Sequence, residues 1–224
     1  MNKVTQRTTE ENRSSWFCVI NNWKLKTVNC KFVLASRNRY KLVELRELFG
    51  IPADNLICAA DFPGAPDPEE NGATFVENAL IKARALRDFT GLWAIADDSG
   101  LTVEALGGEP GVYSARYGGT HGDDTGNNRL LIKNLSAHPR PWRAAYECVI
   151  AIAAPDGREF TAAGSCTGEI IPEGRGTNGF GYDPFFIPDG FTRTFAELPP
   201  ETKQTFSHRA RAAAQIRATL QNIQ

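Results

Sequence analysis

Asp97 and Asp98 stand side by side after an apolar run at 92–96, and Glu69 and Glu70 lie upstream in an acidic, proline-rich stretch. Hard oxygen donors of this kind suit Mg2+, which keeps several waters and bridges to phosphate oxygens. An aspartate beside such an ion can also orient or deprotonate an attacking water. The plainer account of Asp97-Asp98-Ser99-Gly100 is a turn in which Asp97 bonds local backbone. A carboxylate pair ending a buried strand is costly unless something uses it, so the two accounts weigh about evenly.

Three further segments carry polar groups suited to an anion or a flat ligand. In Ser36-Arg37-Asn38-Arg39-Tyr40-Lys41 a turn leads into a helix, where free backbone N–H groups face an anion. Lys41 adds a point charge there, and Ser36 and Asn38 add hydrogen bonds. A capped helix with solvated basic residues explains the segment as well, and the glycines of a P-loop are absent. In Gly179-Phe180-Gly181-Tyr182-Asp183 the glycines permit close approach. Phe180 or Tyr182 could stack on a base and Asp183 could accept from base N–H groups, although core packing is the commoner fate of such rings. Ser207-His208-Arg209, with Lys203 just upstream, would read a base edge, or simply start a helix on a serine cap.

These segments need elements to hold them. Residues 32–36 read as a strand, and Leu42, Leu45, Leu48 and Phe49 recur at helical spacing until Gly50. Residues 61–72 read as a loop, and Thr74 with Glu77 as a capping box for a helix carrying Phe75, Leu80, Ala83 and Leu86 on one face. A strand is expected at 92–96, ending at the aspartates, with 101–106 as a possible continuation. A glycine-rich loop follows at 107–119, then a short helix at 127–135. Pro155-Asp156-Gly157 marks a hairpin joining 143–154 to 159–171. Residues 172–183 form another loop, 185–187 a short strand, and 207–221 a C-terminal helix. Alternating strands and helices followed by a hairpin predict an α/β fold with a mixed sheet.

The 224 residues suffice for one sizeable domain. With 25 basic and 26 acidic residues, no broad basic field exists to hold a nucleic-acid backbone. No apolar run approaches a membrane span. Cysteines at 18, 30, 58, 148 and 166 are odd in number and lack a C-x-x-C pair, which argues for buried or surface thiols in a reducing cytosol. Residues 1–30 lack a clear period and are expected to form a poorly ordered extension without a catalytic role. The functional domain is expected at 31–224.

In their order, these segments resemble the inosine/xanthosine triphosphate pyrophosphatase family over about residues 31–221. The resemblance rests on Val33-Leu34-Ala35-Ser36-x-Asn38-x-x-Lys41, Glu69-Glu70-x-Gly72, Thr74-Phe75-x-Glu77-Asn78-Ala79 and Lys82-Ala83. It continues through Ala94-Ile95-Ala96-Asp97-Asp98-Ser99-Gly100-Leu101, the stretch from Leu106 to Arg116, Gly179-Phe180-Gly181-Tyr182-Asp183-Pro184 and Ser207-His208-Arg209. It implies an elongated mixed sheet with flanking helices, forming two lobes around a central cleft, in a homodimer. It implies Mg2+-dependent hydrolysis of the α–β phosphoanhydride bond of ITP, dITP or XTP. By position, Ser36, Asn38 and Lys41 would hold the triphosphate, within a loop that also offers Arg37, Arg39 and Tyr40. Asp98 would bind metal and act as general base, with Glu70 or Glu69 assisting. Lys82 would neutralise phosphate charge and Ser99 would touch substrate. Phe180, Gly181, Tyr182, Asp183, Lys203, His208 and Arg209 would surround base and sugar. The family's first loop has small residues around its Asn. Arg37, Arg39 and Tyr40 depart from that, adding charge that helps phosphate and bulk that narrows the approach. A binding protein with weakened turnover, or a related pyrophosphatase acting on other modified nucleotides, are the competing readings.

Overall fold

The computed structural model describes residues 31–221, so the N-terminal extension lies outside it, as do Cys18 and Cys30. Six strands form one mixed sheet in the order β2-β1-β3-β4-β5-β6. These are β1 (Phe32–Leu34), β2 (Leu56–Cys58), β3 (Trp93–Val103), β4 (Trp142–Ala153), β5 (Glu159–Ile170) and β6 (Phe186–Pro188). β1 runs parallel to β2 and β3, while β4, β5 and β6 each run antiparallel to their neighbours. The helices are α1 (Arg39–Phe49), α2 (Phe75–Thr90), α3 (Asp124–Leu135), α4 (Pro200–Phe206) and α5 (His208–Gln221).

The helix ends follow the expected chemistry. Asn38 caps α1, its Oδ1 accepting from the Tyr40 and Lys41 amides at 2.9 and 3.3 Å, and Gly50 closes it in the left-handed region. Thr74 Oγ1 caps the Glu77 amide at 3.2 Å, and Glu77 returns a bond to Ala73 N, one residue before the cap.

Both faces of the sheet are covered. On one, α1 and α5 bury Leu42, Leu45, Phe49 and Ile216 against Ile95, Ile150 and Ile152. On the other, α2 buries Ala79, Ala83 and Leu86 against Ala94, Ala96, Val149 and Ala151. A third cluster, around Leu101, Val103, Leu131, Trp142, Tyr146 and Phe186, fills the far end. β5 meets α5 closely at Gly164, where a Cβ would overlap the His208 carbonyl and the Ala212 amide.

Several boundaries differ from expectation. β3 does not stop at the aspartates: it runs through Asp97-Asp98-Ser99-Gly100 to Val103, paired all along with β4, and gives way to a tight turn at Glu104–Leu106. Gly100 forms no turn; a Cβ there would overlap Ser114 Oγ and the Gly111 carbonyl, so glycine allows a neighbouring loop to press on the strand. β2 and α4 are additional elements. β2 is only three residues long, and α4 opens on Pro200 and is separated from α5 at Ser207, which is extended. α3 begins at Asp124 because Asp123 caps it through the Gly126 amide.

A carboxylate and cation cluster at the candidate active site

Because β3 continues through the motif, Asp97 and Asp98 point to opposite faces of the sheet. Asp97 shares the α1/α5 face with Ile95, and Asp98 shares the α2 face with Ala96. Their environments differ accordingly.

Asp97 is 1% exposed and ringed by donors. Arg209 Nε reaches its Oδ2 at 3.0 Å, Cys148 Sγ lies 3.1 Å from the same oxygen, and Lys41 forms a short ion pair with Oδ1. Burial alone would push Asp97 up, but Arg209 and Lys41 hold it well below the usual carboxylate range. It is an ionised structural anchor. Glu44, one helical turn after Lys41, pairs with Arg209 and lies 3.7 Å from Lys203; Lys203 in turn reaches Asp183 Oδ2 at 2.7 Å. Asp97, Arg209, Glu44, Lys203 and Asp183 thus form one chain of alternating charge, buried except at the half-buried Glu44.

Asp98 is different. Its Oδ1 accepts from Lys82 Nζ at 2.6 Å, while its Oδ2 is buried with no partner. Burial pushes the carboxyl above the usual range, Lys82 draws it back, and Glu70 pushes it further up. Lys82 also binds Glu70 at 3.0 Å and the Asp97 carbonyl at 3.0 Å. Glu70 is held by Arg116, which donates to its backbone carbonyl at 3.1 Å. Glu69 is exposed and does not line this cavity, so Glu70 is the acid that faces Asp98.

A cavity of about 370 Å³, a size that suits a nucleotide, joins these groups. Its lining includes Ser36, Arg37, Asn38, Lys41, Glu70, Lys82, Asp98 and Ser99. It also includes Phe180, Gly181, Tyr182, Asp183, Lys203, His208 and Arg209. A larger, more open depression of about 610 Å³ lies beyond the 179–181 loop, but its one carboxylate, Asp124, is engaged by the Gly181 amide.

Most of the residues singled out in the sequence therefore meet in one place, with instructive exceptions. Arg39 points away, bonded to Asp61 through two nitrogens. Tyr40 is 65% exposed and packs on Phe180 without lining the cavity. Arg37 lines the rim and leans on Asp67 and the Ala65 carbonyl. Tyr182 is 3% exposed, its hydroxyl donating to the Ser114 carbonyl at 2.8 Å, so Phe180 is the half-buried ring left for stacking. Phe180 is set by a tight turn: its amide donates to Asp183 Oδ2 at 3.1 Å, and Gly179 has φ +77° where a Cβ would overlap that oxygen. Asp183 is thus occupied by Phe180 and Lys203. Arg209 is fully buried with its donors on Asp97, Glu44 and Ser99, so it positions the site more than it reads a ligand.

His208 retains spare capacity. Its ring stacks on Tyr146 at 4.7 Å and its buried Nδ1 has no partner. Burial, with the charges of Arg209 and Lys203, holds it neutral. Glu44, Tyr146 and Cys148 were not foreseen. Glu44 falls on the exposed-looking side of an amphipathic pattern, and Tyr146 and Cys148 read as ordinary strand residues.

Among the described residues no group of three or more His, Cys, Asp and Glu gathers as a ready-made metal cage. The donor set still fits Mg2+, which takes one or two carboxylates and fills its shell with water and substrate phosphate. Asp98, with its unpartnered oxygen, and Glu70 are the two carboxylates of the cavity that match that requirement.

Fold and site define an α/β protein with a charged cavity built around one continuous strand of a mixed sheet. The chain belongs to the Ham1 family, whose sequence profile matches residues 32–219. It is 50% identical to the dITP/XTP pyrophosphatase of Desulforamulus reducens over 183 residues, 81% of this chain and 91% of that protein. The HAM1 protein of Coxiella burnetii superposes with a TM-score of 0.78 at 42% identity, covering 87% of this chain and all of that one. The nucleoside-triphosphatase and dITP/XTP pyrophosphatase of Mycobacterium abscessus superposes with a TM-score of 0.68 at 46% identity, covering 83% and 98%.

Proposed function

We propose that this chain hydrolyses the α–β phosphoanhydride bond of deaminated purine nucleoside triphosphates (ITP, dITP and XTP), releasing the monophosphate and pyrophosphate. The relatives named for dITP/XTP pyrophosphatase activity support the substrate class. The observation that carries the chemistry is the unpartnered, buried Asp98 Oδ2 beside Lys82 and Glu70.

In this reading the triphosphate lies along Ser36, Asn38, Lys41 and Lys82. The Tyr40 and Lys41 amides are already taken by the Asn38 cap, so the remaining donors are the Arg39 amide, the Asn38 side-chain NH2, the Ser36 hydroxyl and the lysines. Asp98 and Glu70 would hold Mg2+, which, when bound, neutralises phosphate charge and acidifies water. Asp98 takes the proton of the attacking water. Lys82 neutralises charge that develops on the phosphate oxygens, and Lys41, fixed by Asp97, adds to that field.

At the other end Phe180 stacks on the base and His208 meets its edge. A neutral imidazole donating a ring N–H suits a 6-carbonyl, as in hypoxanthine and xanthine. The 6-amino group of adenine would leave that donor unpaired, at a cost on the order of 1–3 kcal/mol. The cavity is taken as a cleft between two lobes, in a homodimeric, cytoplasmic enzyme. No helix among the described residues is long and apolar enough to cross a membrane.

The deciding experiment is pyrophosphate release with Mg2+ from ITP, dITP, XTP, ATP and GTP. Release confined to the first three is expected. A folded sample that binds them without release would return the protein to the weakened-binder reading. Comparable release from ATP would remove the base selection.

A further inference from the structure

Tyr40 is a large aromatic side chain that the fold does not use. It is 65% exposed and belongs to none of the three core clusters. The two arginines that flank the loop's asparagine are tied back to acidic partners, Arg37 to Asp67 and Arg39 to Asp61. Tyr40 instead packs on Phe180, which lines the cavity. Its ring lies 6.0 Å from that of Phe180 with only 24° between their planes. The contact joins the loop beside the phosphate end to the loop beside the base end.

Phe180 carries a second set of neighbours: Lys203 Nζ and Arg209 Cζ stand 5.5 and 5.8 Å from its centroid. These cations hold the Phe180 ring in place by cation–π contact. A base held between two rings needs about 7 Å, two contacts of roughly 3.5 Å. The two rings instead stack on one another, so a base enters only when Tyr40 swings off Phe180. Tyr40 sits in the first turn of α1 with an exposed side chain, so a change of rotamer supplies the room without disturbing packed residues.

Resting on the nucleotide reading above, we propose that Tyr40 is a specificity-determining residue, a second aromatic wall that closes over the base and clamps it against Phe180. The arrangement favours flat, two-ring bases, which cover both aromatic faces, over single-ring pyrimidines.

The test compares wild type, Tyr40→Ala and Tyr40→Phe in Mg2+-dependent pyrophosphate release from ITP, with inorganic tripolyphosphate as a competing probe that lacks a base. Tyr40→Ala should raise KM about three- to tenfold, the worth of one aromatic pair, with kcat within about twofold. Tyr40→Phe should restore KM, and the inhibition constant of tripolyphosphate should not change. An unchanged or lowered KM in Tyr40→Ala overturns the clamp, because the ring is then idle or obstructive. An equal weakening of tripolyphosphate also overturns it, because Tyr40 then serves the phosphates. Should wild type release no pyrophosphate from ITP, dITP or XTP, the functional reading fails on its own. Equilibrium binding of IMP then decides the clamp, weaker binding by Tyr40→Ala supporting it and equal binding overturning it.

Discussion

Arg209 donates from Nε to Asp97 Oδ2 across 3.0 Å, joining residues 112 apart in sequence, and both are about 1% exposed. The pair ties the start of α5 to the middle of β3, and Glu44 and Lys41 bring α1 into the same knot. A buried ion pair adds little net stability over an apolar substitute, but removing one partner strands the other. Arg209→Met should therefore cost about 3–5 kcal/mol in urea unfolding. Arg209→Met combined with Asp97→Asn should cost less than Arg209→Met alone. A double variant weaker by the full sum would show that the two residues act independently.

Asp98→Asn should lower kcat by roughly 10²- to 10⁴-fold, the usual worth of a positioned general base, while thermal unfolding shifts by only a few degrees. The neighbouring Asp97→Asn should reverse the balance, with a large stability loss. Near-normal turnover in Asp98→Asn would remove that residue from the mechanism.

Glu70→Gln should raise the Mg2+ concentration for half-maximal rate about tenfold or more. Glu69→Gln, at an exposed position, should leave it unchanged. Equal effects of both, in a magnesium titration, would contradict the assignment of Glu70 as the partner of Asp98.

Acid should act on the two aspartates in opposite senses. Asp98 titrates above the ordinary aspartate value of 3.8, and as a base it works only when ionised. In the metal-free protein the Asp98 carboxyl should therefore titrate, followed by NMR, at a pH above that of an unperturbed aspartate. Asp97 has a folded value well below 3.8. Its contribution to stability is complete above the unfolded value and drains away as pH falls toward the folded one. Acid unfolding should accordingly set in below about pH 4 and lose much of its steepness in Asp97→Asn. A metal-free titration of Asp98 at or below the ordinary aspartate value would contradict the environment assigned to it.

The residues of the site were more legible than their roles. Asn38, Asp98, Phe180 and His208 stand out because their types are chemically specific and their neighbours give local turn or cap signals, whereas Lys82 is marked only by the family resemblance. The strand through Asp97-Asp98-Ser99-Gly100 was misread as ending, since charge and glycine both resemble a turn when the compensating Lys41, Arg209 and Ser114 are distant in sequence. The same distance hid Glu44, whose partners come from α4 and α5. Spacing also failed to separate Glu69 from Glu70, because an irregular loop has no period. The short strand β2 was lost for want of length, its register being set by β1 alone.

The bare patch of β5 at Gly164 has a consequence for how loss of function should be interpreted here. The backbone that leads into His208 and Arg209 rests directly on that patch. Even a single added methyl group would lift the start of α5 and carry the imidazole and the guanidinium off their marks together. Such a lesion would look, in an assay, like damage to base recognition, although the altered atom faces no ligand. On the proposed reading of the site, part of any discrimination between purines would then rest on a hydrogen atom of Gly164, beneath the start of α5.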